Sequence, residues 1–187
     1  MAGGRFLVVL AVGALVSFGA VPAARSLKLD AGALKVAMNG KIAEFIRWPA
    51  DAGLDNPERP LEFVILGSTP LETRLVNYYR QVKIAGHRVF VRRARDLADV
   101  GQPHVLFIAA PLEDDLERVM GRLKDAPVLT VADSDGFGQR GVAINLYLVE
   151  DQVRFEISRR ALQRHRLEAS YHLLTLARLI DDQQALR

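Results

Sequence analysis

"PVLTVADSDGFGQRGVAINLYLVEDQVRFEIS", from Pro127 to Ser158, decides how this chain folds. Its first part, through Ala132, is a continuous apolar run of strand length, as expected of a strand covered on both faces. Its last part is two strand-like runs around a short acidic turn at Glu150-Asp151. A parallel return needs a crossover of about a dozen residues or more, so these runs must form an antiparallel hairpin. Between the two parts lie Asp133, Asp135 and the glycines Gly136, Gly138 and Gly141. A phosphate cradle would open into a helix, whose free N–H groups meet the anion. This loop opens into a strand and lacks a Gly-Lys-Ser/Thr run. A calcium loop needs oxygen ligands at alternate positions and a closing glutamate. Asp133 and Asp135 begin that pattern and Gly136-Phe137-Gly138 breaks it. The segment therefore reads as a tight connection between a parallel strand and a hairpin, with glycines that permit positive φ.

Working outward, "LEFVILG" (61–67), "HRVFVRR" (87–93) and "HVLFIAA" (104–110) are further strands. The helical segments alternate with them. "AGALKVAMNGKIAEFIRW" (31–48) places Leu34, Met38, Ile42 and Phe45 at helical spacing, with Asp30 as its cap. Pro49 excludes Trp48 from helical geometry and ends the segment. Thr69, Pro70 and Glu72 form a capping box with a proline start, for a helix running to about Val82. Leu112, Leu116, Val119, Met120 and Leu123 share one helical face. "RRALQRHR" (159–166), capped by Ser158, and "EASYHLLTLARLIDD" (168–182) read as two closing helices. The pattern predicts a single α/β domain: a mostly parallel sheet of four strands, extended by a C-terminal antiparallel β-hairpin, with helices on both faces.

The chain has 187 residues, half of them apolar, with 25 Lys+Arg against 22 Asp+Glu. That composition supports one packed core and excludes a disordered chain. The charges are interspersed. The densest basic run, "SRRALQRHR", reads as a solvated helix face, so no nucleic-acid partner is expected. At the N-terminus Arg5, the apolar stretch Phe6–Ala20 and the small residues Val21 and Ala23 read as an export signal over residues 1–23. The folded domain is then 24–187. An uncleaved membrane anchor is the alternative, and either form places the rest outside the cytoplasm, in the periplasm. There are no cysteines. Disulfides, thiol nucleophiles and cysteine metal sites are excluded.

Neither a catalytic constellation nor a cofactor motif is visible. G-x-S-x-G is absent. His165, Glu168 and His172 have helix-like spacing, but a break between two helices interrupts them, so no metal site is expected. Trp48 reads as core packing at a helix exit or as an aromatic anchor in a binding surface.

Four stretches together resemble the YfiR family of periplasmic regulators: "AEFIRWP", "LEFVILGSTPLE", "HVLFIAA" and the long segment from Pro127 to Ser158. The last is the most specific, with L-T-V, a Gly-Phe loop, a Gly-Ile-Asn strand and an R-F-E-I-N strand in that order. This chain departs from the pattern at Met38, Gly40 and Lys41 in the first helix, at Val142 after Gly141, and at Ser158. Lacking cysteines, it also lacks the disulfides of some members. The resemblance implies a non-enzymatic regulator, often dimeric, that restrains an inner-membrane signalling protein. The expected partner is a diguanylate cyclase, so that the chain controls cyclic-di-GMP. A membrane histidine kinase is the alternative partner. A module binding a small anionic ligand is the alternative role, with Arg160, Arg164, His165 and Arg166 as its cations. The candidate contact residues are Trp48, Phe155, Glu156, Arg164 and His165. Their plainer reading puts Phe155 in the core and joins Glu156 to Arg164 as a surface ion pair.

Overall fold

The computed structural model describes residues 30–180. The predicted export signal over residues 1–23 lies outside them. Ten strands and five α-helices follow one another in the described chain. Helix α1 (Ala31–Glu44) leads to β1 (Ile46–Arg47), β2 (Leu61–Leu66), α2 (Glu72–Tyr79), β3 (Lys83–Ile84) and β4 (His87–Ala94). Then come β5 (Val105–Ile108), α3 (Leu116–Arg122), β6 (Leu129–Ala132), β7 (Ile144–Val149) and β8 (Gln152–Ser158). The chain closes with α4 (Arg159–Arg164), β9 (Glu168–Ala169), α5 (Tyr171–Leu176) and β10 (Arg178–Ile180).

Eight strands form one sheet in the order β10-β8-β7-β6-β5-β2-β4-β3. The four predicted parallel strands are β2, β4, β5 and β6, and the first hairpin strand β7 joins them in parallel. The chain starts in the middle of this set with β2, adds β4 on one side, then crosses to build β5, β6 and β7 on the other. That is the doubly wound order. β8 returns antiparallel to β7, as the hairpin reading required. The turn between them has only Glu150 and Asp151, both with positive φ. This is the backbone that a two-residue hairpin loop needs to match the strand twist.

The sheet separates two cores. On one face Phe63, Ile65, Phe107, Val131, Ile144 and Phe155 pack with α1, α2, α4 and α5. On the other, Val64, Leu66, Leu106, Ile108 and Ala132 pack with α3 and with Phe137 and Val142 of the glycine-rich loop. Strands β2, β5 and β6 are buried on both faces. Their continuous apolar runs are the cause.

Three expectations about local structure need correction. α1 ends at Glu44, so Ile46 and Arg47 form a strand that pairs with β9 rather than the last turn of a helix. Its fully buried positions are Val36, Asn39, Gly40, Ile42 and Ala43, while Leu34, Met38 and Phe45 are only partly covered. Gly40 sits there because α2 comes close: a Cβ would lie 2.8 Å from the Tyr78 ring. α2 starts at Glu72 and stops at Tyr79, with the Thr69 hydroxyl accepting from the Leu71 N–H at 3.2 Å in the turn before it. The largest difference is at the C-terminus. The segment predicted as one helix over 168–182 divides into β9, a six-residue helix and β10, and β10 pairs with β8 at the sheet edge. Burial of a strand edge overrides the helical propensity of "LTLARLI", which is a weak preference.

Candidate interaction site

The glycine-rich loop between β6 and β7 folds back over the hairpin. Phe137 anchors it, 1% exposed, in the core on the α3 side. Asp133, where β6 ends, accepts an ion-pair hydrogen bond of 2.9 Å from Lys35, which ties the loop to α1. Gly136 and Gly141 have positive φ, as expected of the loop's glycines. Gly138 does not, and its role is different. A Cβ there would lie 2.7 Å from Ile180 Cδ1 and closer still to a carboxylate oxygen of Glu156. Only glycine lets the loop backbone approach the hairpin so closely.

Beneath the loop is a polar row across three strands. The register places Asn145 of β7 opposite Glu156 of β8, and Glu156 opposite Arg178 of β10. Glu156 is 1% exposed and Asn145 is 2% exposed. Asn145 Nδ2 donates to Glu156 Oε1 at 3.1 Å, and Gln139 Nε2 of the loop donates to Oε2 at 3.4 Å. Arg178 brings Nε to the same Oε2 at 3.2 Å, and its Nη2 makes a short ion-pair contact there. The carboxylate on β8 therefore receives donors from two neighbouring strands and one loop. Isolated in the interior it would cost several kcal/mol; charge-assisted hydrogen bonds offset that. The Arg178 guanidinium is pushed above its usual range, chiefly by its hydrogen bond to Glu156. It also lies 4.9 Å from the centre of the Tyr147 ring. Three buried acceptors nearby have no partner among the described residues: Asn145 Oδ1, Gln139 Oε1 and Ser134 Oγ.

The five predicted contact residues do not form one patch. Phe155 is in the core on the helical face. Glu156 is buried on the opposite face and pairs with Arg178, not Arg164. The predicted surface pair between Glu156 and Arg164 is therefore not the one formed. Arg164 is exposed at the end of α4, with Nη1 3.7 Å from where a Cβ on Gly141 would be. His165 is fully buried, and Nδ1 donates to the Ala126 carbonyl at 2.8 Å. Burial lowers its pKa. Trp48 is partly buried against the helical-face core, and its indole N–H donates to the His104 carbonyl at 3.3 Å.

Arg166 is bonded to Asp51 and to the Asp125 carbonyl. With His165 it lies beside the loop that enters β6, at the N-terminal ends of the parallel strands. Doubly wound sheets bind ligands at the opposite, C-terminal ends. There a small cleft of about 160 Å³ is lined by Leu66, Arg95, Leu112 and Arg118.

Among the described residues, the large apolar side chains that are exposed lie elsewhere. Leu148 and Val149 are near the hairpin tip, Tyr171 and Leu176 on α5, and Leu179 on β10; Phe90 on β4 is separate. Sequence reading missed those on α5 and β10 because it treated 168–182 as a single helix. The signal available was that Tyr171, Leu173, Leu174, Leu176, Ala177, Leu179 and Ile180 ring the helix instead of sharing one face.

The fold and the site define a doubly wound α/β domain whose conspicuous polar constellation is spent on joining strands. The chain belongs to the YfiR/HmsC-like family, whose model matches residues 32–178. This is a regulatory, non-catalytic family of periplasmic proteins. No curated protein matches the sequence. Among solved structures, the chain resembles a conserved domain protein from Vibrio cholerae O1 biovar El Tor, with TM-score 0.55 and 11% identity over 79% of this chain and 59% of that one. It also resembles a domain named ABC, in complex with L-Trp, from Streptococcus pneumonia, with TM-score 0.54 and 7% identity over 80% and 60% of the two chains. The chain spans about three fifths of each, and at these identities the likeness is one of fold.

Proposed function

We propose that this chain is a non-enzymatic periplasmic regulator that binds the outer part of an inner-membrane signalling protein and holds it inactive. The partner that best fits is a diguanylate cyclase, so that the chain lowers cyclic-di-GMP. Family membership across residues 32–178 carries this reading. The distribution of apolar surface supports it. Among the described residues, five of the six exposed large apolar side chains lie on the hairpin and the C-terminal segments. An exposed apolar surface with polar surroundings suits a protein partner. Binding energy alone is enough for the mechanism. Moving a partner from 1:99 to 99:1 between two states takes about 5.5 kcal/mol of preference for one of them.

Deleting the gene should raise cyclic-di-GMP in its host. Restoring the full chain should lower it again, and restoring a version without residues 1–23 should not. Aspartate substitutions at Tyr171 and Leu176 should leave the melting temperature unchanged and abolish repression. Unchanged cyclic-di-GMP on complete deletion would refute a cyclase partner and bring a histidine kinase forward. Binding of small anions by calorimetry, with normal cyclic-di-GMP, would favour the ligand-binding role.

A further inference from the structure

The edge of the sheet at β8 is built to hold an extended, arginine-bearing strand. Glu156 is almost wholly buried at that edge, one position deep under the glycine-rich loop. A buried carboxylate needs a cation or several donors. The loop and β7 supply Gln139 and Asn145, and among the described residues the cation is Arg178 of β10. Yet β10 is weakly secured. Among the described residues it pairs with β8 alone, over three positions, and its Arg178 and Leu179 are exposed. The arginine that neutralises Glu156 keeps 56% of its side-chain area in water while the glutamate keeps 2%. The receptor is therefore more deeply built than its occupant. Its glycine at position 138 leaves room for the side chain two residues after the arginine, where Ile180 now sits. The unpartnered acceptors Asn145 Oδ1 and Gln139 Oε1 are on side chains already touching the carboxylate. They can take further N–H donors that the present strand does not bring to them.

We infer that residues 178–180 are a replaceable strand, and that the edge of β8 accepts in their place an extended segment of a partner protein with an arginine opposite Glu156 and an apolar residue two positions later. Main-chain pairing to β8 supplies affinity, and the arginine on the buried glutamate supplies register and selectivity. The chain's own strand acts as a competitor tethered at high effective concentration, so only a segment that pairs better displaces it. This inference does not depend on which signalling protein the chain regulates.

The lack of cysteines allows a single fluorophore to be placed on a Leu179→Cys chain. The full labelled chain is titrated with a six-residue peptide of the sequence of residues 177–182, Ala-Arg-Leu-Ile-Asp-Asp. Displacement of β10 lowers the anisotropy of the label. In a chain that also carries Arg178→Gln, the peptide should displace the label at a concentration at least ten-fold lower than with Arg178 intact. A peptide with glutamine in place of its arginine should be at least ten-fold weaker on either chain. A cooperative melt of both labelled chains, by circular dichroism, establishes that each is folded. If Arg178→Gln does not fold, Arg178→Lys takes its place, with the same ordering expected. Equal binding of the arginine and glutamine peptides, or no displacement from a folded variant at millimolar peptide, would overturn the inference.

Discussion

The two halves of the sheet solve burial differently. In the half made by β2, β5 and β6, every residue but Glu62 is buried, and helices cover both faces. In the half made by β7, β8 and β10, only one face meets helices. The other carries Asn145, Glu156 and Arg178 under a loop. The first half is held by non-directional burial, which tolerates little loss of volume but needs no particular partner. The second is held by directed hydrogen bonds, which fix register and fail when one member is lost. The apolar half anchors the fold; the polar half contains the contacts that another protein could exchange.

Mutations can break this contrast, the largest effect first. Phe107→Ala empties a fully buried position between β2 and β6. It should cost about 3–5 kcal/mol in denaturant unfolding. A loss under about 1 kcal/mol would mean that the parallel half is not the anchor. Trp48→Ala, at a partly buried ring with one hydrogen bond to the His104 carbonyl, should cost about 2–3 kcal/mol. An unchanged melting temperature would instead mark the indole as a partner contact. Gly138→Ala should cost about 2 kcal/mol, because the loop must lift from Glu156 and Ile180. Exchange of the β10 amides should speed up with it. If those amides exchange at the wild-type rate, the loop does not hold the edge strand.

Acid acts on the apolar half, where the buried His104 and His165 sit at the strand starts. His104 accepts from the Glu62 N–H through Nδ1 at 2.9 Å and so donates to the Ala52 carbonyl through Nε2 at 3.1 Å, in its neutral form. Burial lowers the pKa of His104 and of His165 below the ordinary 6.5; the nearby Arg59 and Arg164 act in the same direction, and Glu62 and Asp125 against it. The unfolded chain then takes up protons before the folded one does. Stability is complete above pH 6.5 and is lost as pH falls from there towards the folded pKa values. Unfolding midpoints measured between pH 7.5 and 5 should fall, and His165→Gln should reduce the slope. A flat profile would mean that both histidines titrate normally. The smallest effect belongs to Arg47→Ala. Its ion pair with Glu168 is exposed on both sides, at 82% and 72%, and its loss should leave the melting temperature unchanged within error. A clear drop would show that the small β1–β9 sheet depends on that pair.

Much of the fold follows from pattern in the sequence. The continuous apolar runs at 61–67, 104–110 and 127–132 required strands covered on both faces, and their alternation with helices required a parallel sheet. The two-residue acidic turn required the hairpin. The helix caps at Asp30 and Ser158 were legible because a cap is a local interaction: each side chain accepts from an N–H two or three residues on. The family signature, too, is a linear string.

Only the tertiary structure decided the rest. Glu156 and Arg178 are 22 residues apart, and nothing local pairs them; β10 had to add to the sheet first. That strand reads as helix in isolation, because intrinsic propensity is set by neighbours in sequence while edge pairing is set by neighbours in space. Gly138 has the same lesson. From sequence it is one more loop glycine with freedom in φ, whereas in the folded chain it is the place where a backbone passes over a buried carboxylate. Phe155, as its plainer reading expected, and Glu156 and His165, named as candidate contacts, are buried, because whether a polar or aromatic side chain meets solvent depends on what the rest of the chain lays over it.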